Sequence, residues 1–175
     1  MLFRSWEHAC AILDNGTVKC WGDNGAGQLG QGDVVQRGVD EDQMGNDLEP
    51  VDLGTGRKAK AIAMGDAFSC ALLDNGTVKC WGYGGNGALG YGDVNFRGDN
   101  EDEMGDYLPA IAVGGSRRAV AISGGGAHTC ALLDDGSLRC WGYGAEGALG
   151  QGDTETRGDG PGEMGSALKP VPFTG

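Results

Sequence analysis

Six cysteines are the residues of this chain best suited to chemistry, and they occur at one repeated spacing. They form three pairs with nine residues between the partners: Cys10 and Cys20, Cys70 and Cys80, Cys130 and Cys140. Inside the first pair lies the turn sequence Asp14-Asn15-Gly16. A three-residue loop with glycine in the left-handed conformation would place the two cysteines of a pair opposite each other, whereas a two-residue loop would not. The spacing therefore predicts three β-hairpins with facing cysteines.

Facing cysteines can be oxidised or reduced. Counting outward from the turn puts each pair at a non-hydrogen-bonded position, where Cα atoms lie about 4.5 Å apart, within reach of a disulfide. Disulfides are the favoured interpretation, each stabilising its hairpin by about 2 kcal/mol, and buried reduced thiols are the alternative. A metal site is disfavoured because it needs four converging ligands and one hairpin supplies two. Disulfides would place the protein in an oxidising compartment: extracellular, periplasmic or at a cell surface.

Carboxylates are the second concentrated group, and the formal net charge is −12, from 25 acidic and 13 basic residues. The candidate interaction loop carries Asp40, Glu41, Asp42, Asp99, Glu101 and Asp102. A solvated surface is the ordinary explanation of such a run, and calcium is the sharper alternative, although no twelve-residue calcium-binding loop is present. We expect the recurring arginines at 37, 97 and 157 to pair with these carboxylates. The acidic balance and the scattered lysines and arginines argue against nucleic acid as a partner.

Catalysis lacks its usual components. The two histidines, His8 and His128, share one register of the repeat with Phe68, which predicts a packing or hydrogen-bonding position and not a general base. No activated nucleophile and no phosphate-binding Gly-x-x-x-x-Gly-Lys motif is present. The sequence therefore predicts a protein that is not an enzyme and has no metal site or resident cofactor, with calcium as the one low-ranking exception.

The elements that position these residues repeat every sixty residues without insertion or deletion, in units of about 1–58, 59–118 and 119–175 that form one domain over 1–175. Thirty-six glycines and five prolines fit tight turns and strands and argue against helices. Small-residue runs at 58–65 and 118–124 predict buried inner strands. Six positions are expected to be structural: the turn glycines Gly16, Gly76 and Gly136, and the tryptophans Trp21, Trp81 and Trp141, which would pack against the next blade.

These motifs carry a family resemblance. The pattern His-x-Cys-Ala-x-Leu-Asp-x-Gly-x-x-x-Cys-Trp-Gly, followed by Gly-x-Leu-Gly-x-Gly-Asp, resembles the regulator-of-chromosome-condensation repeat in the cysteine-bearing form common in bacterial proteins. The resemblance covers essentially the whole chain. It implies an all-β fold, a β-propeller in which each repeat supplies one blade of four antiparallel strands, usually seven in a ring.

Three blades do not close a ring. The chain is therefore expected to be a partial propeller from a longer protein or half of a ring closed by two copies, with self-association through its exposed terminal blades. No signal peptide is recognised in this sequence, which begins within a repeat unit. The expected role is a non-enzymatic protein-binding or scaffold propeller of a bacterial secreted or surface protein, which binds a protein partner through loops on one face without inserting into membranes. Inhibition of a secreted enzyme and regulatory nucleotide exchange on a small GTPase are the alternatives that the family implies.

Overall fold

Three antiparallel sheets of three strands each make up the fold, in a computed structural model that describes residues 1–4 and 7–173. Each sheet comes from one repeat, and its strands lie in chain order. The strands are β1 (Leu2–Arg4), β2 (His8–Ile12), β3 (Val18–Gly22), β4 (Ala59–Met64), β5 (Phe68–Leu73), β6 (Val78–Gly82), β7 (Ala119–Gly124), β8 (His128–Leu133) and β9 (Leu138–Gly142). The all-β class and the partial propeller of three blades are confirmed.

The hairpin of each sheet has the predicted register. Cys10 lies opposite Cys20, and the other two pairs face each other in the same way. In the first turn the Gly16 N–H donates to Leu13 O at 2.9 Å, and the Leu13 N–H donates to Thr17 O at 2.9 Å. Gly16 takes a φ of 85°, a left-handed conformation that glycine adopts without steric cost. The three-residue loop is therefore confirmed, and it sets which residues share a face of the sheet.

The small-residue runs form the strands β4 and β7, as predicted. The predicted burial holds for Ala59, Ile62 and Ala63 of β4, whereas in β7 Val120, Ala121 and Ser123 are exposed. Each pairs with the following strand through a register shift, between Ala59 and Ala61 in the second sheet and between Ala119 and Ala121 in the third. Alanines, a serine and a glycine at these positions let neighbouring sheets approach closely: a Cβ on Gly124 would lie 2.4 Å from the Met64 carbonyl oxygen of the adjacent sheet.

A fourth strand in each blade, which the family resemblance implies, is not formed as a strand. In its place each repeat has a single antiparallel bridge, from the last residue of the hairpin to the arginine of the following loop: Gly22 to Arg37, Gly82 to Arg97, and Gly142 to Arg157. Tight turns occupy the segment before the bridge, including short 3₁₀ turns at Gly85–Gly87 and Ala145–Gly147, so the chain runs beside the hairpin for only one residue pair.

The hydrophobic core lies between the sheets. One cluster joins the first and second repeats and includes Cys10, Leu29, Leu73 and Trp81; the other joins the second and third and includes Cys70, Leu89, Leu133 and Trp141. Each repeat therefore buries its apolar side chains against its neighbours, as stacked repeats do. Among the described residues no helix has the length and apolar character needed to cross a bilayer.

Candidate functional site

The cysteines serve the core. Their sulfur atoms lie 2.07, 1.96 and 2.09 Å apart in the three pairs, the length of a disulfide bond. Four of the six are fully buried: Cys10, Cys20, Cys70 and Cys80. A bond buried in this way holds the two hairpin strands together and offers no thiolate for attack on a ligand.

The tryptophans join consecutive repeats through a shared carbonyl group. Trp81 Nε1 donates to Gln28 O at 3.0 Å, and the Ser69 hydroxyl donates to the same oxygen at 3.0 Å. Each buried tryptophan packs on the preceding repeat and not, as the sequence predicted, on the next one. The predicted direction of packing was therefore wrong. The second junction repeats the arrangement, with Trp141 Nε1 and the Thr129 hydroxyl 3.1 and 3.5 Å from Ala88 O.

The hydroxyls at these junctions were missed by sequence reasoning. They occupy a register that reads Ala9, Ser69 and Thr129 in the three repeats. The sequence contained a pattern that could have indicated them. The second and third repeats, which pack on a preceding repeat, have a hydroxyl at this position, and the first repeat has a methyl group. The position therefore needs a hydrogen-bond donor only where it packs on a preceding repeat.

His8 occupies the packing position that the sequence predicted. Its side chain is buried, with Nε2 3.0 Å from the Ser69 hydroxyl. Burial lowers the pKa of His8 to about 4, against the opposing field of Asp23, because desolvation disfavours the charged ring. Phe68 fills the same register in the second repeat and is also buried, so the position suits a neutral ring.

The recurring arginines do not pair with the acidic run, and this expectation was wrong. Each binds the aspartate four residues before it: Arg37 to Asp33 at 2.7 Å, Arg97 to Asp93 at 2.8 Å, and Arg157 to Asp153 at 2.9 Å. The i, i+4 spacing across the turn brings guanidinium and carboxylate together more closely than the later loop residues can. Of the predicted interaction loop, the side chains of Asp40, Glu41, Asp42, Glu101 and Asp102 are exposed.

The acidic loops of consecutive repeats stack side by side. The Gly32 N–H of the first repeat donates to Gly98 O of the second at 3.1 Å, and the Gly92 N–H donates to Gly158 O of the third at 3.0 Å. Glycine is required where the loops touch: a Cβ on Gly27 would lie 2.5 Å from the Asp99 nitrogen. This stacking places the loops on one face of the array.

Inside the second of these loops two carboxyl groups lie together. Glu103 Oε2 accepts hydrogen bonds from the Gly98 N–H at 2.9 Å and the Asn100 N–H at 3.3 Å. Burial, and then the hydrogen bond and charge of Glu103, raise the pKa of Asp99. In the part of the chain that the structure describes, Asp99 Oδ1 is buried without a hydrogen-bond partner. A proton held on Asp99 would let this oxygen donate to Glu103.

The third repeat has the same arrangement, because Glu163 Oε2 accepts from Gly158 and Gly160 at 2.8 and 2.9 Å. The pKa of Asp159 is raised, first by burial and then by Glu163. The first repeat instead carries Val39 and Gln43 at these positions, with the Val39 N–H donating to Gln43 Oε1 at 3.1 Å. Carboxyl pairs therefore occur only in the two described repeats that pack on a preceding one.

A cleft opens where the loops of the first two repeats meet. One part, of about 380 Å³, lies between Gln31, Pro50 and Glu101, and an adjoining part of about 630 Å³ lies over Arg97 and Glu103. Tyr107 is common to both parts and is 72% exposed. We call this region the acidic cleft, defined by Asp52, Asp99, Glu101, Asp102, Glu103 and Tyr107.

Lys79 interacts electrostatically with Asp52, one of the carboxylates of the acidic cleft. Its ammonium group donates to Leu53 O at 3.0 Å and to Gly105 O at 2.7 Å, and its side chain is buried. Burial lowers the pKa of Lys79, while the nearby carboxylates of Asp106 and Asp52 oppose the shift. Sequence reasoning missed this contact, although a basic residue recurs at this register as Lys19, Lys79 and Arg139.

Side chains able to bind a metal do not cluster in the described part of the chain. Across 1–4 and 7–173, no group of three or more histidine, cysteine, aspartate or glutamate side chains is arranged to hold an ion.

Comparison with known proteins identifies the repeat. Two family models, both described as the regulator of chromosome condensation (RCC1) repeat, match this chain, one at residues 5–28, 59–88 and 119–148 and the other at residues 75–132. The human E3 ubiquitin-protein ligase HERC2 is 30% identical over 149 residues, which cover 85% of this chain and 3% of that protein. The ultraviolet-B receptor UVR8 of Arabidopsis thaliana is 30% identical over 151 residues, which cover 85% of this chain and 30% of that receptor.

Solved structures show the same fold. Prp20p from Saccharomyces cerevisiae, whose crystal structure was reported with its binding to Gsp1p and histones, matches with a TM-score of 0.67 at 18% identity, over 99% of this chain and 38% of Prp20p. Human WBSCR16 matches with a TM-score of 0.53 at 18% identity, over 100% of this chain and 53% of that one. The chain thus spans between 3% and about half of the length of these proteins.

Proposed function

This chain belongs to the family of regulator of chromosome condensation (RCC1) repeat proteins, and we propose that it is a non-enzymatic, protein-binding segment of a β-propeller. The observation that carries the proposal is the acidic cleft, which stacked loops of two repeats build on one face. A rigid sheet array with a shaped loop face is a common way to present a binding surface.

Charge indicates the chemistry of the partner. Arg97, which lines the cleft, is paired with Asp93, and Lys79, which interacts with Asp52, is held by two backbone carbonyls. The exposed carboxylates of Glu101 and Asp102 therefore face solvent beside Tyr107, an exposed aromatic ring of the type enriched in interfaces. A lysine- or arginine-rich segment of a protein complements this surface in charge and is the partner class that we propose.

Binding of peptides tests this proposal. Immobilised lysine-rich, neutral and acidic peptides of equal length are each titrated with the protein. We expect the lysine-rich peptide to bind best, with an affinity that falls as salt increases. Replacing Glu101 by Gln and Asp102 by Asn removes two charges from the cleft, and Asn accepts the left-handed φ of 61° at position 102. This double variant should lose about five- to tenfold in affinity.

The matched control removes two exposed carboxylates of the third repeat, by Glu146→Gln and Glu155→Gln, and should bind as the unmodified protein does. Equal binding of all three peptides, or an equal loss in the control variant, would contradict the acidic cleft as the binding site.

We also propose that the protein works outside the bacterial cytoplasm, in the periplasm, at the cell surface or extracellularly. The three cysteine pairs at bonding distance support this, because disulfides persist in oxidising compartments. Thiol titration of the protein from its native source, in denaturant without reductant, tests it. We expect no reactive thiols, because all six cysteines would be in disulfides. Six reactive thiols would contradict this location.

A further inference from the structure

The larger part of the acidic cleft has an apolar wall beside its carboxylates. Val94, Phe96 and Tyr107 line it, and their side chains are 52%, 37% and 72% exposed. We call these three residues the apolar wall. Large apolar side chains that gather in a concave site while remaining exposed to water are typical of surfaces that a ligand covers. Carboxylates alone therefore do not describe what this cleft offers a partner.

Comparison of the three repeats shows that the fold does not require the two aromatic rings of the wall. At the register of Phe96 the other repeats have a polar residue, and at that of Tyr107 they have an acidic or a small one: Gln36, Thr156, Asp47 and Ala167. The backbone nevertheless follows the same course, because the hairpin-to-arginine bridge and the arginine–aspartate ion pair occur in every repeat. The rings of the second repeat are thus additions to a shared framework, at exposed positions of the loop face.

Part of the wall is already held in place by other aromatic contacts. The ring of Phe96 lies 5.0 Å from that of Tyr83, centroid to centroid, in an edge-to-face arrangement. Pro109, which also lines the cleft, has its carbonyl oxygen 3.1 Å from the Tyr91 hydroxyl. A wall that is ordered in advance loses less conformational entropy when a ligand packs on it.

Building on the proposed function, we propose that the partner segment carries a large apolar side chain beside its basic residues, and that this side chain packs on the apolar wall. The basic residues would then face Glu101 and Asp102 in the adjoining part of the cleft. Asp102 and Tyr107 line both parts, so the charged and apolar subsites are neighbours. One short segment can reach both.

Segments of a single character fit this cleft less well. A purely basic segment would leave the rings of Phe96 and Tyr107 exposed to water, and the stabilisation from burying them would be lost. A purely apolar segment would take the carboxylates of Glu101 and Asp102 out of water without a cation to pair with them, which is costly. A segment that combines both characters avoids each loss.

Two peptides of equal length and equal lysine content test this inference. They differ at one position, where the first has phenylalanine and the second has serine between the lysines. We expect the phenylalanine peptide to bind about tenfold more tightly, because a large apolar side chain is removed from water. Both affinities should fall as salt is raised, while the ratio between them should persist, since salt screens charge and not apolar contact.

Variants that install the residues of the third repeat locate the apolar contact. Phe96→Thr should reduce the ratio between the two peptides from about tenfold to about twofold, and should leave the affinity for the serine peptide within about twofold of its original value. Tyr107→Ala should reduce the ratio in the same direction. Tyr143→Ala is the control, because it removes an exposed aromatic ring of the third repeat that is outside the lining of the cleft, and it should leave the ratio unchanged. Thermal melting checks that each variant is folded.

The outcomes distinguish this inference from the proposed function. If lysine-rich peptides bind no better than acidic ones, the proposed function fails and the apolar subsite fails with it. If lysine-rich peptides bind best but the phenylalanine and serine peptides bind equally to the unmodified protein, the cleft recognises charge alone and only the present inference is wrong. A ratio that persists in both Phe96→Thr and Tyr107→Ala would likewise overturn it, because the apolar contact would then lie elsewhere on the chain.

Discussion

At the scale of single residues, His8 should make stability depend on pH. Its pKa of about 4 in the folded protein lies below the usual 6.5, so the unfolded chain takes up a proton before the folded one does. The stabilisation from neutral His8 is complete above the unfolded pKa and is lost as pH falls from there toward the folded value. From about pH 7 to about pH 5 this group should cost about 2 kcal/mol in the free energy of unfolding.

His8→Phe should reduce that pH dependence, because Phe68 already fills the same register in the second repeat. Denaturant unfolding at the two pH values measures it. His128→Phe is the control, since it leaves His8 in place and should keep the His8-dependent slope. A slope that survives His8→Phe unchanged would show that other groups control the acid response.

Two turn glycines allow the energetic cost of backbone strain to be measured separately from the cost of steric crowding. Gly76 and Gly136 share a φ of 82°, but a Cβ on Gly76 would lie 2.8 Å from Arg118 Cβ, whereas nothing lies within 4 Å of one on Gly136. Alanine at Gly136 should therefore cost only the left-handed conformation, about 1–2 kcal/mol, and alanine at Gly76 should cost more. Thermal melting of the two variants checks the order. Equal losses would mean that Arg118 moves aside freely.

Residue types at repeated registers predicted the chemistry of this molecule only in part. The spacing of the cysteines determined the hairpin register, because pairing within a hairpin depends on the local turn. The partners of Arg97 and Lys79 were not found from the sequence. Each of these side chains binds a group that the turns of a loop bring close to it. A charged residue that recurs at one register indicates that a contact exists but does not identify the partner.

At the scale of the elements, each disulfide should stabilise its own hairpin. Replacing Cys70 and Cys80 together by alanine should lower the free energy of unfolding by about 2–3 kcal/mol, because the unfolded chain loses a closed loop of about ten residues. Denaturant unfolding with and without reductant measures this loss. Reductant should destabilise the unmodified protein more than the variant, which has one bridge fewer to lose. An equal response to reductant would show that the middle pair is already reduced in the unmodified protein.

The blade itself was predicted correctly except at its outer edge. Short, glycine-bounded runs of small residues predicted the inner strands β4 and β7. Their burial was predicted less well, because Val120, Ala121 and Ser123 of β7 are exposed. The fourth strand came from the family resemblance alone. Its segment contains the turns that carry the loops, and backbone folded into turns cannot also form a ladder, so only the bridge from Gly82 to Arg97 and its two equivalents remain.

At the scale of the whole molecule, the sixty-residue period predicted the array, and the direction of packing became visible only in the structure. A tryptophan at a strand end can contact the preceding or the following repeat. The sequence of one repeat does not distinguish between these two directions of packing. The structure resolves the choice because Gln28 O and Ala88 O, in the preceding repeats, accept the indole hydrogens. Each junction is thus a separable unit, as nearest-neighbour coupling in repeat proteins requires.

This coupling predicts where the array opens. Trp81→Phe should weaken the first junction by about 2 kcal/mol through a lost hydrogen bond and a small void, and Trp141→Phe should do the same at the second. Hydrogen exchange should then rise in the hairpin at 8–22 for Trp81→Phe and in the hairpin at 128–142 for Trp141→Phe. Trp21→Phe is the control, because no indole hydrogen bond of Trp21 occurs among the described residues, and it should change neither. Exchange that rises equally in all three repeats would instead mean that the array unfolds as one cooperative body.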